Sequence, residues 1–236
     1  MTTKVLAYHG KETLKQETIA KMQSHHDADE LVKGLYWKQG KGCMIGCLAH
    51  RNMDAHEWVA ETLGFPLELA YLYDHLFEWQ SPEASKSFPL KVLNATHTGA
   101  DLSKVADRFK LWILENELHY DREAHPEIAK AVEDVIALYM RVLNDEAVDD
   151  SEWSVARSAA SSTWSAENSA EKSTARSAWL AWAAAGAAWV TWSSAAGSAA
   201  RAATSSAGWA ADVPASYERM ADQLIQILEE NQNNDN

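Results

Sequence analysis

At 236 residues, with 34 acidic and 21 basic side chains, the chain can form one large domain or two modest ones. Its formal net charge of -13 excludes broad binding to the phosphate backbone of a nucleic acid, which needs a basic surface. Its two cysteines exclude a disulfide scaffold and favour a cytoplasmic location. Residues 1–10 lack the apolar core of a signal peptide, and no uninterrupted apolar run reaches about 18 residues, so we expect no membrane contact.

Short helices are predicted along residues 1–150, where apolar side chains recur at helical spacing and few segments alternate with period two. The first helix is predicted over Glu12–His25. Asp27 is typical of the cap of a following helix that contains Glu30–Val32. The run Gly40–His50 then has the pattern of a glycine loop that leads into a helix.

Proline marks the start of three further helices, because it fits the first helical turn, where its missing amide hydrogen is not needed. These helices are predicted to run from Pro66 to Trp79, from the Ser81 cap onward, and from Pro126 to Leu143. A fourth helix is predicted over Lys104–Glu117. Residues 30–143 therefore hold enough apolar side chains at helical spacing to fold as a unit.

The composition changes over residues 151–211, which are mostly Ala, Ser and Trp. Gly186, Gly197 and Gly208 mark a repeat of eleven residues. Eleven residues complete about three helical turns, so the repeat keeps small side chains on one face, against which another helix can pack closely. We expect two or three helices folded back on one another, followed by a last amphipathic helix that begins near Pro214.

The sequence therefore predicts an all-α fold in two parts. A helical globular domain of mixed short helices is predicted over residues 1–150. An Ala/Ser/Trp-rich region with the eleven-residue repeat is predicted to drive helix packing and homo-oligomer formation over residues 151–236. The pattern leaves open whether the repeat packs within one chain or between chains.

The densest group of chemically capable side chains admits several interpretations. As a metal site, Cys43, Cys47 and His50 would lie on one face of a helix and share an ion, completed by His56 or by a distant residue. As a catalytic site, the thiol of Cys43 at a helix start would have a lowered pKa and would use His50 or His56 as its base. In a purely structural interpretation, both cysteines pack as small apolar core residues.

The same segment is also a candidate anion site. Gly40, Lys41 and Gly42 would present backbone amides and a cation to the phosphate of a nucleotide-like ligand. The alternative is that the glycines serve close helix approach. Three further side chains are candidate ligand contacts beside the loop: Tyr36, Trp37 and His50.

Two other polar groups have residue types that can carry chemistry. His56 and Glu57 resemble half of the zinc-protease motif H-E-x-x-H, but Ala60 stands where the second histidine is required, which excludes that class of hydrolase. Asp74 and Glu78 share a helix face and form either the lining of a cleft or a solvated edge.

Several segments resemble an uncharacterised family of bacteriophage and prophage proteins. The resemblance rests on the core motif G-K-G-C-x-x-G-C-x-x-H, on the Ala-rich helical tail, and on segments spread over nearly the whole chain. These segments are 34–37, 40–50, 63–66, 99–103 and 217–222. The resemblance implies a phage accessory protein in the cytoplasm of the host cell. Because such genes often act on host systems, it also implies interference with a host defence system.

These observations favour a non-enzymatic binding protein that forms a homo-oligomer and binds a host protein or a nucleotide-like signal. The first alternative is a thiol- or metal-dependent enzyme that uses Cys43, Cys47 and His50. The second alternative is a purely structural helical assembly protein. The sequence indicates no particular cofactor.

Overall fold

The computed structural model describes residues 4–117, 122–123, 125–166 and 213–231, and gives the backbone alone for residues 161–166 and 213. Within these ranges every extended regular element is a helix, and β-structure is confined to isolated bridges. The predicted all-α fold is confirmed. The repeat marked by Gly186, Gly197 and Gly208 lies outside the described residues, so it stays a prediction.

The described residues form nine α-helices and one short 3-10 turn at Ala7–Gly10. In chain order the helices are α1 (Glu12–Asp27), α2 (Met44–Ala49), α3 (Ala55–Leu63), α4 (Leu67–Trp79), α5 (Pro82–Ala95), α6 (Val105–Asn116), α7 (Pro126–Leu143), α8 (Asp150–Ala166) and α9 (Val213–Glu230). No helix among the described residues is both long and apolar enough to cross a membrane.

The chain divides into two compact units. One unit, called the site unit below, contains the described residues up to Ala106 together with those from Tyr217 onward. The other contains the described residues from Asp107 to Ser216. The predicted division at residue 150 stays a prediction, because residues 167–212 lie outside the described ranges.

In the site unit, α4 lies at the centre of the helix packing. It contacts α2, α3 and α5, and α1 packs against α5. Helix α5 begins with the predicted serine cap and proline. The Ser81 hydroxyl accepts a hydrogen bond from the Ala84 amide at 3.3 Å, and Pro82 occupies the first turn. The buried face of α4 contributes Leu69, Leu72, Tyr73, Leu76 and Phe77 to the core.

The segment after α1 corrects one expectation. Asp27 is the last residue of α1, and no helix follows it at Glu30–Val32. The Val32 amide instead donates to the Gly42 carbonyl at 2.9 Å, and the Gly42 amide donates to the Glu30 carbonyl at 3.0 Å. This pairing ties the start of the loop to its end, immediately before α2.

In the other unit, α7 and α8 pack against each other. The rings of Tyr139 and Trp153 meet edge to face with centroids 5.0 Å apart, and Arg141 forms an ion pair with Glu152. Ala160 on α8 is completely buried.

Candidate functional site

The glycine-rich loop folds tightly against the start of α2. A Cβ atom added at Gly42 would lie 1.9 Å from the Tyr36 carbonyl oxygen, and one added at Gly46 would lie 1.4 Å from the same oxygen. Only glycine fits at either position, because real Cβ contacts are never this short. The two glycines therefore hold the backbone of Tyr36 against α2, which is the close approach that the structural interpretation expected.

The two cysteines lie in different surroundings on α2. Cys43 is the N-cap of the helix, and its Sγ accepts a hydrogen bond from the Gly46 amide at 3.5 Å. Cys47 donates from its Sγ to the Gly42 carbonyl at 3.4 Å. Burial, with nearby carboxylates, raises the pKa of the Cys43 thiol far above its ordinary value and raises the pKa of Cys47 to about 12. Both thiols are therefore protonated at neutral pH.

Cys43 meets two carboxylates from α4. Its Sγ and one carboxylate oxygen each from Asp74 and Glu78 all lie within 4.8 Å of one another, and this is the one such group of potential metal ligands in the described part of the chain. Asp74 and Glu78 are four residues apart, so a single helix face presents both. The Glu78 carboxylate also accepts a hydrogen bond from the Gly34 amide at 2.8 Å. Burial raises the pKa of Glu78 above its ordinary value.

Histidine and tyrosine rings support this cluster from α3 and α4. His56 lies with its Nε2 3.2 Å from Asp74 Oδ2, and its side chain is 6% exposed. Its ring stacks on Tyr71 with centroids 3.8 Å apart and meets Tyr36 edge to face at 5.6 Å. The second carboxylate oxygen, Asp74 Oδ1, is buried without a hydrogen-bond partner. The cluster thus contains a buried carboxylate oxygen whose capacity to accept a hydrogen bond is not met within the protein.

Two aromatic side chains near the cluster are exposed, one in the loop before α2 and the other at the end of α4. Tyr36 is 42% exposed and Trp79, which follows Glu78, is 47% exposed. Trp79 stacks on the buried Tyr217 with centroids 5.9 Å apart, a contact that favours one orientation of its ring. Tyr36, Glu78 and Trp79 are called the acidic–aromatic rim below.

His50 belongs to a separate network. Its Nε2 lies 2.8 Å from His25 Nε2, and His25 Nδ1 lies 2.6 Å from the Glu30 carboxylate. The His50 ring also stacks on Trp37 with centroids 4.3 Å apart. His50 ends α2 in the left-handed backbone region, with φ 53°. It is therefore at the opposite end of α2 from Cys43.

The four predicted metal ligands do not lie together in the structure. Cys43 lies in the carboxylate cluster and His56 contacts that cluster through Asp74, whereas Cys47 bonds to backbone and His50 pairs with His25. A six-residue α2 that begins after Cys43 and ends before His50 does not place these side chains on one helix face.

The predicted anion loop is engaged within the protein. The Lys41 amide donates to the Lys38 carbonyl at 3.1 Å, and the Gly42 amide donates to the Glu30 carbonyl. The Lys41 ammonium lies 3.5 Å from the Asp29 carbonyl oxygen. Gly40 adopts a positive φ of 82° at the loop tip, which indicates a role in the turn. The amides of Lys41 and Gly42 are consequently not available to a phosphate.

No family model, curated protein or solved structure matches this chain. The site is therefore judged on its own geometry. Sequence reasoning recognised that Asp74 and Glu78 share a face but did not connect them to Cys43. The spacing of four residues between Asp74 and Glu78 indicated their shared face. Their contact with Cys43 could not be predicted, because about thirty residues of sequence separate it from Asp74.

Proposed function

We propose that this chain is a non-enzymatic accessory binding protein of the phage type, and that its partner is a basic host protein, such as a component of a defence system. The observation that carries the proposal is a pair of exposed rings, each close in the chain to Glu78 or to its hydrogen-bond donor: Trp79 follows Glu78 directly, and Tyr36 lies two residues after Gly34, whose amide donates to the Glu78 carboxylate. The phage setting and the defence target rest on the family resemblance.

The rim has the chemistry of a protein-recognition surface. Tyr and Trp are enriched among the residues that contribute most to binding free energy, because each buries a large area at a low cost in side-chain entropy. Trp79 is already stacked on Tyr217, and the backbone of Tyr36 is held against Gly42 and Gly46. Little conformational freedom is left to lose when a partner binds.

The charge around the rim favours a basic partner over a nucleotide-like one. Glu78 and Asp74 lie beside Tyr36, and the whole chain carries a net charge of -13. Lys33 also lies here, but its ammonium donates to the Gln80 carbonyl, and it faces Glu78 and Glu218. Carboxylates repel phosphate, whereas lysine and arginine side chains can pair with them and pack on aromatic faces.

The thiol-enzyme alternative receives no support from this geometry. A cysteine nucleophile must be a thiolate near neutral pH, with a cationic or basic group beside it. Burial and two neighbouring carboxylates instead raise the pKa of Cys43. If the chain is instead a purely structural assembly protein, substitutions at the rim should not change which proteins bind to it.

Homo-oligomer formation through residues 151–236 remains part of the proposal. It rests on the sequence pattern of small residues, most of which lies outside the described ranges. Several copies would present several rims, and simultaneous binding of two or more sites raises the effective affinity for a partner of matching symmetry.

A quantitative pull-down from bacterial lysate tests the proposed function. The bait is the full chain, the rim variant combines Tyr36→Ala with Trp79→Ala, and Met140→Ala is the matched control because Met140 is 50% exposed outside the site unit. We expect a basic protein that the wild type and the control retain and the rim variant loses by about tenfold or more, since aromatic hot spots contribute about 2 kcal/mol each.

Two results would contradict the proposal. One is an unchanged set of partners when both rim aromatics are removed, as the structural assembly alternative predicts. The other is a nucleotide that copurifies with the wild type and is released by Lys41→Ala, because the loop would then bind an anion after all. Circular dichroism of each variant verifies that it is folded.

A further inference from the structure

The carboxylate cluster beneath the rim has the geometry of a metal site. Cys43 Sγ and carboxylate oxygens of Asp74 and Glu78 are mutually within 4.8 Å. Donor atoms bound to one tetrahedral ion at about 2.0–2.3 Å lie roughly 3.3–3.8 Å apart, so a small closure of these side chains suffices. The ligands come from two packed elements, the N-cap of α2 and one face of α4.

A second observation points to a cation at the same place. Asp74 Oδ1 is buried without a well-formed hydrogen bond, although the Cys43 thiol interacts with this carboxylate and Asp74 Oδ2 lies 3.2 Å from His56 Nε2. An unsatisfied buried polar atom destabilises the fold, and more so when it carries charge. Glu78 adds a second carboxylate in the same half-buried volume. A bound cation would satisfy the free oxygen and neutralise the pair.

The donor set indicates which class of cation. One sulfur and two carboxylates are a poor match for magnesium or calcium, which prefer oxygen ligands alone. A thiol that loses its proton on coordination favours a borderline or soft ion of the zinc class. His56 is well placed as the supporting partner, because hydrogen bonds to ligating carboxylates orient them toward the ion.

We propose that Cys43, Asp74 and Glu78 bind one divalent transition-metal ion of the zinc class, with His56 holding Asp74 in place. Of the metal ligands predicted from the sequence, Cys43 remains a ligand. The carboxylates of Asp74 and Glu78 take the places of Cys47 and His50, and His56 positions a ligand without binding the ion. Three protein ligands leave the fourth position of a tetrahedral ion to an exogenous donor. The site shares Glu78 with the acidic–aromatic rim, but its test reads cobalt binding alone and does not depend on the partner proposed above.

Titration with Co²⁺ alone, on full-length protein stripped with a chelator, tests the site. We expect one equivalent to produce a thiolate-to-cobalt charge-transfer absorption, which Zn²⁺ then abolishes by displacement. Cys43→Ser should remove that absorption, and Glu78→Gln should weaken cobalt binding by about tenfold or more. Cys47→Ser is the matched control, because Cys47 is equally buried on the same helix but bonds to the Gly42 carbonyl.

Each contrary result overturns the assignment. A folded wild type that gives no thiolate absorption with excess Co²⁺ has no such site. Equal loss in Cys47→Ser places the sulfur ligand elsewhere, and an unchanged dissociation constant in Glu78→Gln removes that carboxylate from the ligand set. If Cys43→Ser fails to fold by circular dichroism, Glu78→Gln still decides, because Glu78 is only half-buried.

Discussion

Gly46 shows how a single missing side chain shapes the site. The Tyr36 carbonyl oxygen occupies the space that a Cβ at Gly46 would need, and the Tyr36 ring consequently lies over His56. Gly34, two residues before Tyr36, has a positive φ of 72° and open space around it. The two glycines therefore serve different purposes, one for close contact and the other for backbone conformation.

Gly46→Ala is predicted to lower the free energy of unfolding by about 3 kcal/mol, because the methyl group forces the Tyr36 backbone away from α2. Gly34→Ala should cost about 1 kcal/mol, since it introduces only the strain of a left-handed backbone. Urea unfolding of both variants checks the order. Equal costs, or a larger cost for Gly34→Ala, would contradict the steric account.

His50 gives a pH-dependent prediction. Its pKa lies below the ordinary value because of burial first and then the charges of Lys21 and His25, while Glu30 acts in the opposite direction. A histidine with a lowered folded pKa contributes stability above its unfolded pKa of about 6.5, and that stability is lost as the pH falls through the folded value. The wild type should therefore lose stability below neutral pH partly through His50.

His50→Asn should reduce that loss, because asparagine tolerates the left-handed backbone of this position and does not titrate. Urea unfolding between about pH 7.5 and pH 5 measures both slopes. An equal slope in the variant, or an NMR titration that places the His50 pKa at or above its ordinary value, would contradict the account.

Residue contacts were the hardest part to predict from sequence. The contact of His25 with His50 could not be predicted, because it depends on how the intervening loop returns to α2. For the same reason, Cys43 was recognised as a ligand candidate but its carboxylate neighbours were not.

Helices were predictable where local rules suffice. α7 begins at Pro126 and ends at Leu143 as expected, and α4 and α5 follow their prolines within one residue. The segment 28–42 was not predictable, because backbone pairing to Gly42 rather than side-chain periodicity holds it in place. Helix spacing across Gly40–His50 also failed to give the short length of α2, which ends where His50 turns left-handed.

Ala160 is a small residue that is fully buried on α8. Ala160→Leu should lower the free energy of unfolding by about 1–3 kcal/mol, because the packing around a fully buried alanine leaves no room for added bulk. Val155→Leu is the control, since Val155 is 70% exposed on the same helix. Thermal or urea unfolding compares them. A cost for Val155→Leu that equals the cost for Ala160→Leu would contradict the packing account.

The molecule as a whole is acidic, with a net charge of -13, and its candidate site concentrates that character beside exposed aromatic rings. In the proposed function, long-range attraction would accelerate the approach of a basic partner, and the rim would then supply short-range contact. The net charge follows from the composition alone, whereas the position of the acidic–aromatic rim depends on how the chain folds. The copy number stays a prediction from the eleven-residue repeat.

Native mass spectrometry of the chain purified from bacterial cells is the most direct test of the binding account. We predict a discrete complex in which the 26.2 kDa chain carries a basic protein, and we predict that Tyr36→Ala with Trp79→Ala releases that protein but leaves the copy number of the chain unchanged. A spectrum of the wild type that shows the chain without any partner, or a partner that the rim variant retains in full, would contradict it.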